Sequence, residues 1–349
     1  MRLLRTVCWQ LVRTGLTVWA MASVIFLLSY RDAQTAVELA MPQQMDGRAS
    51  TIGTGTGAGV QAARQATRER LGLALPLFYV SRWQWHGSQN QYHQWVWRLS
   101  CGDLGTSFRT GQPVRGQLCA ALGLTLPLTG TAAVLVVLAA LGLAQRLAAR
   151  PWWHRPVRAM LVGLHTLPLF VVALGLLLLF ANPAALAWFP AYGFNPGGDP
   201  AAGPLSQGLD YARHLALPVA ALVLSALPEL TLQLEGALQA ELAQGYATTA
   251  RAKGLAPAAV IRRHALRNAL LPTITQLAQL LPALVAGAVV VEVVFALPGM
   301  GRLLATAAAA RDYPVLIGGV LLTGLSRLVA QLLADLFYLW ADPRIRWQS

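Results

Sequence analysis

Charge is scarce in this chain, and acid is scarcer than base. Of its 349 residues 12% are charged and 56% are hydrophobic, and 14 Asp and Glu stand against 27 Lys and Arg. A soluble domain carries about a quarter charged residues, so the deficit points to lipid as the solvent. The formal net charge of +13 would suggest nucleic acid in a polar protein. Here the bases are not interleaved with aromatics in a polar domain, so membrane topology explains the excess better and no nucleic-acid partner is expected. Lysine is reduced to one residue, Lys253. Cys8, Cys101 and Cys119 show neither CxxC nor His-linked spacing, and His86 and His93 have no third ligand, so no metal site is expected. The cysteines read as small, mostly buried apolar residues, with a Cys101–Cys119 pair as the alternative. Also missing are GK[ST], HExxH and GxSxG, so the chain is expected neither to hydrolyse ATP nor to be a membrane enzyme.

What the chain does have is long uncharged runs. The stretch TGLTVWAMASVIFLLSY lies between Arg13 and Arg31, without a clear small-residue cleavage site, and reads as an uncleaved first helix rather than a signal peptide. Residues 116–145 and 159–198 carry no charge, and Asn182-Pro183 divides the second run into a third span and a loop. Further spans are expected at about 214–234, 273–295 and 313–340. Short-loop arginines set the orientation. The loop RLAARPWWHRPVR at 146–158, the stretch ARAKGLAPAAVIRRHALRNALLP at 250–272 and the tail DPRIRWQS are all rich in arginine. The opposing short loops hold only Arg302 and Arg311 against Asp199, Asp210 and Asp312. Both termini are therefore expected in the cytoplasm and 31–115 outside. The glycine-threonine run GTGTGAG in that segment reads as a flexible linker. Trp83, Trp85, Trp95 and Trp97 offer either a stacking platform for a substrate or an aromatic belt with a small core of its own.

The basic island at 250–272 is too long to be a mere connection. ALQAELAQGYATTARAK predicts a helix from about Leu238, ended by Gly254 in a left-handed conformation, and Pro257 suits the first turn of a second helix. Arg251 and Lys253 fall at the carbonyl end of the first helix, where cations are favoured. Helical spacing puts Ile261, Ala265 and Ala269 on one face and Arg263 and Arg267 on another. The plain alternative is a solvated positive-inside loop.

ARAKGL followed by RRHALRNALLP resembles the coupling loop of the dipeptide/oligopeptide permeases of bacterial ABC importers, nickel-transporting members included, and specifically their B-type subunit. The resemblance continues through GDLGTSFRTGQPV, GAVVVEVVFALPGMGRLL, RDYP and DPRIR, and covers about 102–346. It implies an all-α integral membrane protein of about six transmembrane helices, the type I ABC-importer permease fold, with an extracytoplasmic segment after the first helix. Residues 1–30 would be the cytoplasmic end and first helix, 31–115 the outer segment, 116–340 a core of five helices with a coupling loop at 235–272, and 341–349 the tail. The resemblance further implies a subunit of the bacterial inner membrane that forms the path for peptides or a similar small solute. Its partners would be a second homologous permease, two cytoplasmic ATPases that carry the ATP and magnesium, and an extracytoplasmic substrate-binding protein. Arg251, Lys253, Arg262 and Arg263 would supply ionic contacts to an ATPase, with Gly254 allowing close approach and Tyr246, Ala250, Leu255 and Ile261 supplying packing. Leu232, Glu235, Gly245, Thr248 and Arg327 depart from the family pattern.

Polar residues within spans offer a second reading. An ionisable group at membrane depth is a functional candidate. Glu292 precedes FALPGMG, where it would serve either transport or a structural bond to the turn. Thr323, Arg327, Gln331 and Asp335 recur every four residues and share a face that must look inward, at a partner or at water. An ion-coupled secondary transporter using Glu292 and the Arg327/Asp335 face is the alternative to an ATP-driven importer.

Overall fold

The computed structural model describes residues 2–31, 65, 75–76, 79–81, 84–85, 87–190 and 203–326. The described residues form two compact units, one within 2–121 and 303–326, the other within 122–302.

In the first unit, α1 (Arg2–Arg31) is the amino-terminal helix, followed by a minimal hairpin of β1 (Val80–Ser81) and β2 (Gln84–Trp85). The hairpin is a small departure from an all-helical chain. Next comes α2 (Gln91–Ser100), capped where the Asn90 side chain accepts from the His93 N–H at 2.7 Å. Its aromatic face packs on α1, with Phe26 stacked on Trp95 at 5.0 Å and edge-on to Tyr92 at 5.5 Å. Tyr79 meets Trp85 at 5.8 Å, and its hydroxyl lies 3.1 Å from His93 Nδ1. Trp95 is thus half-buried against α1, while Trp85 and Trp97 stay exposed. Trp83, His86 and GTGTGAG lie outside the described residues. Cys101 and Cys119 are free and exposed, against the expectation of burial, because one ends α2 and the other lies on an outward face of its helix. The turn GDLGTSFRTGQPV is tied to RDYP. Ser107 donates its hydroxyl to the buried Asp312 carboxylate, which also accepts the Phe108 N–H at 3.0 Å. Asp312 stands immediately before the apolar helix α11 (Tyr313–Ser326), which closes this unit.

The second unit is a bundle. Helix α3 (Val114–Ala148) contributes Leu124, Leu128, Ala132, Val136 and Ala140, a row at four-residue spacing that fills the bundle core. Helices α4 (His154–Thr166) and α5 (Leu169–Phe180) meet at 106°, so the third apolar stretch is not one straight span. The cause is Pro168, which lacks a donor and holds Leu167 extended at ψ 128°. Helix α6 (Pro204–Leu242) has 39 residues, close to 60 Å of helix and about twice the hydrocarbon thickness of a bilayer. Then follow α7 (Gly245–Ala252), α8 (Pro257–Val260), a π turn over Ile261–Ala265, α9 (Leu266–Val294) and the first residues of α10 (Met300–Ala309), whose remainder belongs to the first unit. Among the described residues, α3 and α6 are each long and apolar enough to cross a membrane. With the α4–α5 pair and the pair formed by 257–274 and 279–294, which is bent by 57°, the candidates number four.

Candidate functional site

The elbow between α6 and α9 is built by local chemistry. Helix α6 runs unbroken through Leu238 to Leu242, so the break comes later than expected, at Ala243-Gln244, where Gln244 turns extended. Helix α7 then ends in a Schellman motif. Gly254 sits at φ +80°, its N–H bonds the Arg251 carbonyl at 2.9 Å, and the Leu255 N–H reaches back to Ala250 at 3.3 Å. Only a residue without Cβ takes that conformation cheaply. Pro257 occupies the first helical position, and from there the backbone stays helical to Val294. The π turn inserts one residue into the ladder under the basic side chains Arg262, Arg263 and His264.

The elbow is fastened by its apolar face. Ile261, Ala265 and Ala269 are buried against Ala144 and Ala148 of α3 and Leu234 and Leu238 of α6. Ala247, Ala250 and Val260 form a second small cluster with Leu242 and Leu255. A brace completes it: the Tyr246 hydroxyl donates to Glu241 Oε2 at 2.5 Å, and Asn268 Nδ2 lies 3.5 Å from both. Partial burial, and then the bond to Glu241, raise the Tyr246 hydroxyl above the ordinary phenol value, so it remains a protonated donor. Arg251 donates to the Leu242 carbonyl at 3.0 Å. Of the residues expected to dock a partner, Tyr246, Arg251, Lys253, Gly254, Arg262 and Arg263 are exposed, Leu255 is half-buried, and Ala250 and Ile261 are occupied inside the elbow. Among the described residues, Lys253, Arg262 and Arg263 make no ion pair. The result is a cationic knuckle, packed from within, whose tip is a glycine.

At the base of the knuckle lies Glu235, which the family resemblance marks only as a departure from its pattern. It is 1% exposed. Its Oε1 accepts from His154 Nε2 at 2.7 Å and Gln239 Nε2 at 2.9 Å, and Arg158 approaches to 3.4 Å. Arg150 holds Gln239 Oε1 at 2.9 Å. The legible signal was an acid near the end of an apolar helix, which must find cations. That these come from the 146–158 loop is a tertiary fact. Leu232, half-buried, and Gly245 and Thr248, exposed, complete the positions that depart from pattern.

Glu292 is 0% exposed and fully engaged. Thr125 Oγ1 donates to its Oε1 at 2.6 Å, and the N–H groups of Gly301 and Arg302 donate to Oε2 at 2.6 and 3.2 Å. The Met300 N–H bonds Thr125 Oγ1 at 2.8 Å, and the Arg302 guanidinium donates to the Ala296 carbonyl. A carboxylate at the amino end of α10 is well placed for the helix dipole. This geometry matches the structural alternative for Glu292. Thr323 bonds carbonyls of its own helix, while Arg327, Gln331 and Asp335 lie outside the described residues. Among the described residues no three His, Cys, Asp or Glu side chains gather.

Residues 124–347 match the family described as binding-protein-dependent transport system inner membrane component. A putative peptide transport system permease protein of Brucella abortus is 34% identical over 259 residues, covering 74% of this chain and 80% of the relative. An oligopeptide transport system permease protein of Bacillus subtilis is 32% identical over 288 residues, 82% and 86% of the two chains. A dipeptide transport system permease protein of Alkalihalophilus pseudofirmus is 30% identical over 349 residues, 94% of this chain and 99% of the relative.

Proposed function

This chain belongs to the family of binding-protein-dependent transport system inner membrane components, and we propose that it is the permease subunit of an ATP-driven importer of peptides or a closely similar solute. It is a transport subunit and not an enzyme; hydrolysis belongs to separate ATPase subunits. Six spans with both termini in the cytoplasm, a second homologous permease, two ATPases and an external binding protein complete the reading.

One observation carries it: a basic elbow with Gly254 at its tip, continuous in backbone with the apolar helix α9 and seated on α3 and α6. A solvated loop has no need of that packing. Pressure on the elbow is transmitted along two long helices at once, as switching a path from one side to the other requires. Arg251, Lys253, Arg262 and Arg263 face the ATPase, Tyr246 and Leu255 pack at the edge, and Ala250 and Ile261 hold the knuckle in shape from within. Closure of the ATPases on ATP tilts α6 and α9 and opens the path outward.

The ion-coupled alternative loses its main residue, since every Glu292 oxygen is engaged in holding a turn. The deciding experiment is affinity purification of the chain from its native membrane, followed by reconstitution. Co-purification of two ATPases and a second permease, with peptide uptake that requires ATP, is the expected result. Uptake driven by a proton or sodium gradient without ATPases would overturn the reading.

A further inference from the structure

A cavity of about 240 Å³ opens between α5, α6 and α9, one helical face of α6 meeting one face of α9. It is smaller than ordinary ligand pockets of about 300–1,000 Å³, so it suits one end of a solute. Its apolar wall carries four polar side chains, from Ser225, Glu229, Gln276 and Gln279.

Glu229 is the decisive residue. It lies in α6 within the stretch 214–234 read as the fourth span, five residues from that stretch's cytoplasmic end. At that depth a carboxylate does not face lipid. Yet Glu229 is exposed, and among the described residues no ion pair or side-chain hydrogen bond answers it. This contrasts with Glu235 and Glu292, both buried and each bonded by named donors. An exposed acid in a span looks at water or at a cation. The opposing wall offers Gln276 and Gln279, which donate and accept and therefore suit amide groups rather than a second charge.

We propose that this cavity is a solute-contact site in the translocation path, where Glu229 receives the positively charged amino end of a peptide and Gln276, Gln279 and Ser225 meet its backbone. The site rests on the importer reading. Its two walls are the helices that the elbow joins, so tilting the elbow alters the gap between Glu229 and Gln279. Capture and release of the ammonium group are thereby tied to the ATPase cycle.

The test uses the complete importer with its binding protein in proteoliposomes. The probe is a casein-hydrolysate peptide pool, half of it N-acetylated, with imported peptides counted by mass spectrometry. Glu229→Gln lowers import of free-amine peptides about tenfold, the difference between a charge-assisted and a neutral hydrogen bond, while binding-protein-stimulated ATP hydrolysis falls less than twofold. Gln279→Leu gives a smaller loss of the same kind, and Glu229→Asp retains most of the import. Unchanged import in Glu229→Gln overturns the site but leaves the importer standing. Parallel loss of import and hydrolysis in an assembled complex also overturns it, because Glu229 then serves the transport cycle as a whole and not solute contact. Should Glu229→Gln not assemble, Gln279→Leu and Glu229→Asp decide by the same readouts. No ATP-dependent import of any peptide by the unsubstituted complex would instead overturn the importer reading itself.

Discussion

His154 Nε2 and Glu235 Oε1 meet at 2.7 Å across 81 residues of chain, pinning the start of α4 to the end of α6 just where the elbow begins. The carboxylate is buried, the imidazole is mostly buried, and Arg158 beside them is half exposed. The two contacts should therefore differ in worth. His154→Ala removes a donor to a buried charge and should cost about 2 kcal/mol. Arg158→Ala should cost under about 1 kcal/mol, because solvent screens that pair. Thermal unfolding of the purified complex measures both, and equal shifts would count against this ranking.

Gly254→Leu should abolish coupled transport while leaving abundance and insertion nearly unchanged. A Cβ at Gly254 meets nothing within 4 Å, so the obstacle is the φ of +80° and not crowding within the chain. That conformation costs a branched side chain on the order of 1 kcal/mol or more. The same side chain projects where the ATPase would seat. Uptake and stimulated ATP hydrolysis should fall together, and wild-type uptake in this variant would reduce the elbow to a loop.

Lys253→Glu changes charge and leaves the shape of the elbow intact. A milder defect is expected, larger at low ionic strength and reduced as salt screens the repulsion. A salt-independent loss would argue against an ionic seat.

Gly301→Ala should destabilise the α9–α10 turn. The added Cβ would lie 2.8 Å from Val289 Cβ and would press on the α9 backbone, beside the N–H that Glu292 holds. Overpacking of this kind costs about 1–3 kcal/mol. The expected result is a lower unfolding temperature, with any surviving complex still coupling ATP to uptake.

Topology is checked by labelling. In a chain with Cys8, Cys101 and Cys119 replaced by serine, a cysteine placed at the exposed Ser88 should react with an impermeant thiol reagent added from outside. Reaction from the cytoplasmic side alone would invert the proposed orientation.

The elbow was legible because its determinants are local. Gly254, Pro257 and the spacing of Ile261, Ala265 and Ala269 act within a few residues, and backbone conformation and helical period follow from them. Its start was misplaced because Ala243-Gln244 carries neither glycine nor proline to announce a break. The Glu292 turn was half legible: an acid before PGMG is suggestive, but its partner Thr125 lies 167 residues away.

By itself the sequence determined the solvent, the basic elbow with its glycine tip, and the family, for these rest on composition and on short-range order. Tertiary structure alone decided which acids are answered. Glu229, Glu235 and Glu292 are alike as letters. Glu235 meets His154, Glu292 meets Thr125 and the amino end of α10, and Glu229 faces an open cavity. A carboxylate's role is set by what lies within about 3 Å of it, and helix packing brings those groups from distant parts of the chain.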